Sequence, residues 1–166
     1  MEMATSEGGG MRVLLAVDGS RHSQLATAAV AERPWPDGTI VQVLTVIHVA
    51  APLIIDPAFI MAAAHVDLVA EQRRLSSAVI ESAVEAIRKK APGVTVTTKV
   101  VEGNPKDAIL EEAREWDADL IVVGSHGYGR LKRAVLGSVA GAVVADAPCS
   151  VCVARDKQHD LEHAAA

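Results

Sequence analysis

Aromatic side chains are nearly absent from this 166-residue chain, which holds two Trp, one Tyr and one Phe. Basic residues are also outnumbered, 16 against 21 acidic, for a formal charge of −5. A mildly acidic chain with few stacking platforms makes a poor general nucleic-acid binder. Cysteine is scarce too. Two thiols cannot build a disulfide scaffold. No apolar run reaches the roughly 18 residues of a membrane span. The most apolar region, Ala50 to Ala70, is broken by Pro52, Asp56, Pro57, His65 and Asp67. The first ten residues carry no basic segment followed by an apolar one, so they do not read as a signal peptide. The expectation is a soluble, cytoplasmic protein.

What is present is apolar and small. Half of the residues are hydrophobic, and 29 Ala and 23 Val supply most of that half. This content excludes intrinsic disorder. Small side chains let helices and strands approach closely, as layered α/β packing requires. A length of 166 residues suits one domain. Residues 1–10 read as a flexible leader and 156–166 as a polar tail, leaving 11–155 as a single domain.

Within that domain, short apolar runs alternate with helical patterns. Arg12–Val17 is a buried strand ending in the turn residues Asp18-Gly19-Ser20. A helix follows to about Arg33, where Pro34 stops it. Thr39–Ile47 is the second strand. The longest helix is expected from about Ala58 to Lys90, with Arg88, Lys89 and Lys90 suited to a helix C-terminus. Val94–Val101 alternates Val with Thr and Lys as a third strand. Asn104 caps a helix whose first residue is Pro105 and which runs to Trp116. Leu120–Val123 is a fourth strand, closed by Gly124. A helix over Leu136–Ala145 and a strand over Ser150–Ala154 complete the pattern. This order implies a doubly wound, five-stranded parallel sheet with helices on both faces. Ligands of such sheets sit at the carboxyl ends of strands, near the switch in strand order.

The richest segment there is Gly124-Ser-His-Gly127-Tyr-Gly-Arg-Leu-Lys-Arg-Ala-Val-Leu-Gly137-Ser138-Val139. Its glycines leave the backbone open. Gly137 and Ser138 sit where a helix begins, and free N–H groups there attract anions. Arg130, Lys132 and Arg133 raise the local positive potential. These features suggest phosphate, although tight packing of a loop against a helix asks for the same glycines. No G-x-x-x-x-G-K-[ST] string occurs, which excludes a P-loop. Lys132 stands where a dinucleotide fingerprint starting at Gly127 needs its third glycine. Asp18 ends the first strand, where a carboxylate can accept from ribose hydroxyls or simply form a turn. Thr45, Val46 and Ile47 end the second strand, within reach of a base edge.

Gly124-x-x-Gly127, nine residues, then Gly137-Ser138 resembles the G-2x-G-9x-G-[S/T] signature of the universal stress protein family, in its ATP-binding branch. Val13–Ser20, Val101–Pro105, Asp119–Gly124, Leu136–Val139 and Pro148 fit the same family in order. The resemblance implies an adenine-nucleotide alpha-hydrolase-like sheet and a stress-response homodimer joined through the last strand. It implies ATP, with Mg²⁺ as companion ion, and an unknown protein partner. Carried over by position, Asp18 faces ribose and adenine, and Val46 meets adenine through its backbone. Gly124, Gly127, Gly137 and Ser138 hold phosphates and ribose, and Val139 donates a backbone N–H. Hydrolysis is expected to be slow at most, since no general base or arginine finger can be assigned. The alternatives are a nucleotide-independent protein-interaction dimer and an AMP or cyclic-AMP binder. The last strand is more polar than the family's usual Val/Leu run.

Cys149 and Cys152 form C-x-x-C, but on a strand an odd separation places the thiols on opposite faces. That argues for packed thiols over redox or zinc chemistry. His126 lies inside the glycine loop, where it can touch a phosphate or stand simply exposed. His48 and His65 read as interior or rim residues, and His159 and His163 as tail. Glu111, Glu112 and Glu115 read as the solvated face of a helix, and Trp116 as packing at a helix end.

Overall fold

The structure, a computed structural model, describes residues 9–48, 63–127 and 136–155. Of residues 63–69 only the helical backbone is described. Five strands form one all-parallel sheet: β1 (Arg12–Ala16), β2 (Ile40–Ile47), β3 (Thr95–Glu102), β4 (Leu120–Gly124) and β5 (Ser150–Ala154). Their spatial order is β3-β2-β1-β4-β5. The chain therefore winds outward from β1 on one side, then restarts with β4 on the other. The switch point lies between the carboxyl ends of β1 and β4. The expected doubly wound architecture is what the chain adopts.

Side-chain alternation explains the two layers. Val13 and Leu15 of β1, with Val41 and Val43 of β2, face one core. That core is covered by α1 (Arg21–Glu32) and α2 (Ala63–Lys90), through Ala26, Val30, Ile80 and Ile87. Leu14, Leu44, Ile121 and Val123 face the other core. There α3 (Pro105–Glu115) brings Ile109 and Ala113, and α4 (Ser138–Asp146) brings Ala140 and Val143. The small residues predominate where helices lie on the sheet, as the composition anticipates.

Helix ends follow local chemistry. Ser20 caps α1 by accepting from the Ser23 amide at 3.2 Å. Asn104 caps α3 by accepting from the Lys106 amide at 3.1 Å, with Pro105 as the first helical residue. α4 starts at Ser138, two residues later than the apolar pattern suggests, because Gly137 is extended at φ −66° and ψ 163°. The expected start of α2 near Ala58 lies outside the described residues, as do the leader's first eight residues and the 156–166 tail.

The end of α3 carries a built-in cost. The Ala118 amide donates to the Ala113 carbonyl at 2.9 Å and the Asp117 amide to the Arg114 carbonyl at 3.3 Å. This pairing is a Schellman close, and it puts Asp117 at φ 48°. Glycine is the favoured residue there, because any Cβ strains the left-handed backbone. Asp117→Gly is expected to raise stability by about 0.5–1 kcal/mol, read as a higher thermal midpoint. An unchanged or lower midpoint would mean the Asp117 side chain supplies something that offsets the strain.

One sequence expectation needs revision. Glu112 is not solvated. It is 5 % exposed, while Glu111 is exposed. Its Oε1 accepts from Gln42 Nε2 at 2.8 Å, and its Oε2 pairs with Lys99 Nζ. The helical face that carries Ile109 and Ala113 necessarily carries residue 112 as well. The hydrogen bond and charge of Glu112 hold the Lys99 ammonium above its ordinary range.

Candidate functional site

The site is assembled at the carboxyl edge of the sheet. β1 continues through Val17, whose amide donates to the Leu44 carbonyl at 2.9 Å. Thr45 Oγ1 donates back to the Val17 carbonyl at 2.5 Å, locking the ends of β1 and β2 together. Asp18 and Gly19 then turn the chain into α1. Gly19, at φ 83°, makes that turn and donates its amide to Ser23 Oγ at 3.1 Å. Asp18 Oδ1 accepts from the Ser20 amide at 2.9 Å. So Asp18 does play the turn-forming role that its position allows. It is nevertheless exposed, and its second oxygen points elsewhere.

That oxygen points toward the glycine loop. A Cβ placed on Gly127 would stand 2.8 Å from Asp18 Oδ2. Gly127 thus brings bare backbone alongside the carboxylate, in a cradle that a side chain would fill. This loop leaves β4 at Gly124. The Ser125 amide donates to the Ala154 carbonyl of β5 at 2.9 Å. The Ser125 carbonyl accepts from the Gly137 amide at 2.8 Å, which seats the start of α4 beside the loop. A Cβ on Gly137 would lie 3.2 Å from His126 Cα. Ser138 and Val139 form the first turn of α4, and Gly137 caps it without a side-chain hydrogen bond. A helix start of this kind presents oriented N–H groups that attract anions.

Gly124 behaves differently. Its Cβ position is 2.5 Å from the His22 carbonyl carbon, so the first turn of α1 already occupies it. The structure therefore brings Asp18 against Gly127, and Gly137 against Ser125 and His126, but turns Gly124 toward a helix. The basic residues Arg130, Lys132 and Arg133 lie outside the described residues.

A cleft of about 910 Å³ opens from Asp18 between α1 and α2. Thr45 and Val46 form its floor at the end of β2, His48 its rim, and Leu75, Val79 and Ala83 its α2 wall. Leu75 is 52 % exposed on this wall. The His48 ring lies 3.3 Å from the Gly103 carbonyl. Sequence reasoning missed the α2 wall, since the spacing of Leu75 and Val79 marks a helix face without saying what it faces. It also missed His22, whose ring lies 5.2 Å from that of His126.

The remaining candidates are accounted for by packing. Cys152 faces the α1–α2 core and Cys149 the α3–α4 core, as their odd spacing requires. Both thiols are free, and burial pushes the Cys149 thiol up, away from reactivity. Trp116 caps α3, where Arg12 Nη1 donates to its carbonyl at 3.0 Å. Among the described residues, no group of three or more metal-ligating side chains gathers. Among those residues, too, no helix is long and apolar enough to cross a membrane.

A parallel sheet in this order, with a carboxylate and a glycine loop at its switch point, defines the doubly wound α/β class, whose ligand edge lies at the carboxyl ends of the strands. Comparison with known proteins is consistent with that class. The model of the universal stress protein family matches residues 11–155, and the chain belongs to that family. A Thermus aquaticus universal stress protein, in the QAH/OAS sulfhydrylase 3′ region, is 33 % identical over 150 residues. The match covers 86 % of this chain and 97 % of that protein. The universal stress protein UspA from Lactobacillus plantarum is 29 % identical, with a TM-score of 0.59 over 87 % of this chain and 97 % of its own. An Archaeoglobus fulgidus universal stress protein in complex with dAMP shares the fold, with 24 % identity and a TM-score of 0.56. That likeness spans 87 % of this chain and 98 % of the other.

Proposed function

We propose that this chain binds an adenine nucleotide across the switch point and serves as a nucleotide-linked regulatory protein of the stress response. The observation that carries the reading is the pairing of Asp18 with Gly127. A carboxylate suited to ribose hydroxyls stands directly beside bare loop backbone suited to phosphate. The Thr45–Val46 end of β2 opens on the same cleft as Asp18, which gives a base its place. In this reading adenine meets the Val46 backbone and ribose meets Asp18. The phosphates lie along Gly127, Gly137, Ser138 and the Val139 amide. Gly124 contributes by holding α1 in place rather than by touching ligand.

ATP, with Mg²⁺ as companion ion, is the first choice of nucleotide, because Arg130, Lys132 and Arg133 add cations to the loop. A monophosphate is the second reading, supported by the dAMP complex of the Archaeoglobus fulgidus fold relative. Any hydrolysis is slow. Residues 11–155 act as one cytoplasmic domain, flanked by 1–10 and 156–166. Two copies pair through β5, which among the described strands has β4 alone as a neighbour and so offers an edge.

The test is calorimetric titration with ATP, AMP and cyclic AMP, on protein first freed of carried-over nucleotide. Gly127→Val should lower ATP affinity at least about tenfold, since tenfold is about 1.4 kcal/mol and valine both fills the cradle and displaces Asp18. Its fold should persist, because the obstacle at Gly127 is the free end of a side chain. Undiminished affinity in a folded Gly127→Val variant would sink the reading.

A further inference from the structure

The cleft that opens from Asp18 is longer than a nucleoside needs. Its lining runs along α1 from Gly19 to Ala31 and along α2 from Gln72 to Lys90. Gln72 and Lys90 stand 18 residues apart, about 27 Å along the helix. A base and its ribose reach along about two turns of helix, roughly 11 Å. Each of the two helices joins a pair of parallel strands, so both run the same way, from the carboxyl edge of the sheet to its other end. The cleft is therefore a groove between two parallel helices, and the Asp18–Val46 end is only its first part.

Beyond Val46 the walls are apolar and mostly small. α2 presents Leu75, Val79, Ala83 and Ala86, at the spacing of one helix face. α1 answers with Ala28 and Ala31. Alanines at facing positions let two helices close on each other, yet here they line about 910 Å³ of open cleft. Leu75 stays 52 % exposed on its wall. The carboxylate of Asp18 lies at one end and the ammonium of Lys90 at the other, and no other acidic or basic chain lines the stretch between them. Lys90 Nζ pairs with Glu32 at 2.6 Å, which ties α1 to α2 where the cleft stops. A groove apolar along its length favours an aliphatic chain over any ionic group.

We propose that the site takes adenine nucleotides bearing an aliphatic chain on the exocyclic amine of the base, with the chain laid between α1 and α2. The inference rests on the nucleotide-binding reading above. In that reading adenine meets the Val46 backbone, and Thr45 and Val46 line the cleft where it opens. The base is thus the part of the ligand that faces the groove. The phosphates belong with Gly127 and Gly137, which are not part of the cleft lining. The exocyclic amine lies on the hydrogen-bonding edge of adenine and carries two N–H donors. One alkyl group there leaves one donor, so the chain and the backbone contact at Val46 are compatible. The chain then replaces water against Leu75, Val79 and Ala83, and the Lys90–Glu32 pair marks the limit of its length.

Calorimetric titration of the full-length protein with AMP and its N6-methyl, N6-propyl, N6-pentyl and N6-heptyl derivatives reads this directly, with the same series repeated on ATP. Affinity should rise about twofold to fourfold for each methylene added, the gain from taking one CH₂ out of water. Ala28→Leu narrows the groove near its middle and should flatten the series. Ala86→Leu, nearer the Lys90 end, should keep the gain for short chains and remove it for long ones. Both positions are half-buried, and the series within each variant is read against that variant's own parent nucleotide. A wild-type series that is flat or falls with chain length, while AMP or ATP still binds, overturns the inference and leaves the nucleotide reading standing. The groove then belongs to another occupant, such as a partner protein. A gain that survives in both variants overturns it too, because the chain then lies elsewhere. Absence of binding by every parent and derivative overturns both readings. Should one variant misfold, the other locates the chain, and the wild-type series still decides whether one is accepted.

Discussion

Replacing Glu112 with Ala should destabilise the fold by about 3 kcal/mol, measured by urea unfolding at neutral pH. Glu112 is 5 % exposed and answers two donors that come from different strands. Gln42 Nε2 donates to one of its oxygens at 2.8 Å, and Lys99 Nζ to the other. Truncation would leave Gln42, itself buried, with an orphaned amide, and would open space under α3. Lys99 contributes less, because 41 % of its side chain is exposed and can turn to water. Glu112→Gln, which keeps an acceptor for Gln42, should therefore cost only about 1 kcal/mol. A loss below about 0.5 kcal/mol for Glu112→Ala would show that the network sets strand register without adding stability. The ammonium's share has a definite pH sign. Its folded value is raised, so that share is complete below the ordinary lysine range and is lost as pH climbs through the raised value.

Glu112 also shows where sequence reading stops. The strands were legible because a buried parallel strand is a short, continuous apolar run, and Ser150–Ala154 agrees to the residue with β5. The cap at Asn104 announced the start of α3 through chemistry that acts within one turn. Glu112 belongs to the α3 face of Ile109 and Ala113, and Gln42 interrupts an apolar strand on the matching side. Those are hints that a carboxylate and an amide meet, but pairing across 70 positions is set by tertiary register. The same holds for the site. Asp18 and Gly127 carry recognisable chemistry, yet their contact depends on β4 lying beside β1. His22 carried no signal at all, since its partner comes from another turn of the sheet.

The glycine signature divides into two physical tasks, and substitution should separate them. Gly124→Ala is expected to cost about 3 kcal/mol or more of stability, because the added methyl would meet backbone atoms of His22 at 2.5 and 2.7 Å. Backbone cannot rotate away, so α1 must lift from β4, loosening Ala26 and Val30 in the core beneath it. Gly127→Ala meets only Asp18 Oδ2, at 2.8 Å, and a carboxylate end can swing aside. It should cost about 1 kcal/mol or less while still weakening nucleotide binding. Thermal unfolding and ligand titration on the two variants give opposite orderings if this division holds. A stable Gly124→Ala protein with weakened binding would instead place Gly124 at the phosphate. The spacing of the four signature residues would then reflect ligand contact alone, and not the seat of α1 against the sheet. Since Ser20, the cap of α1, and His22 in its first turn both lie against His126, the seat of α1 is the means by which a packing glycine would govern the proposed binding edge.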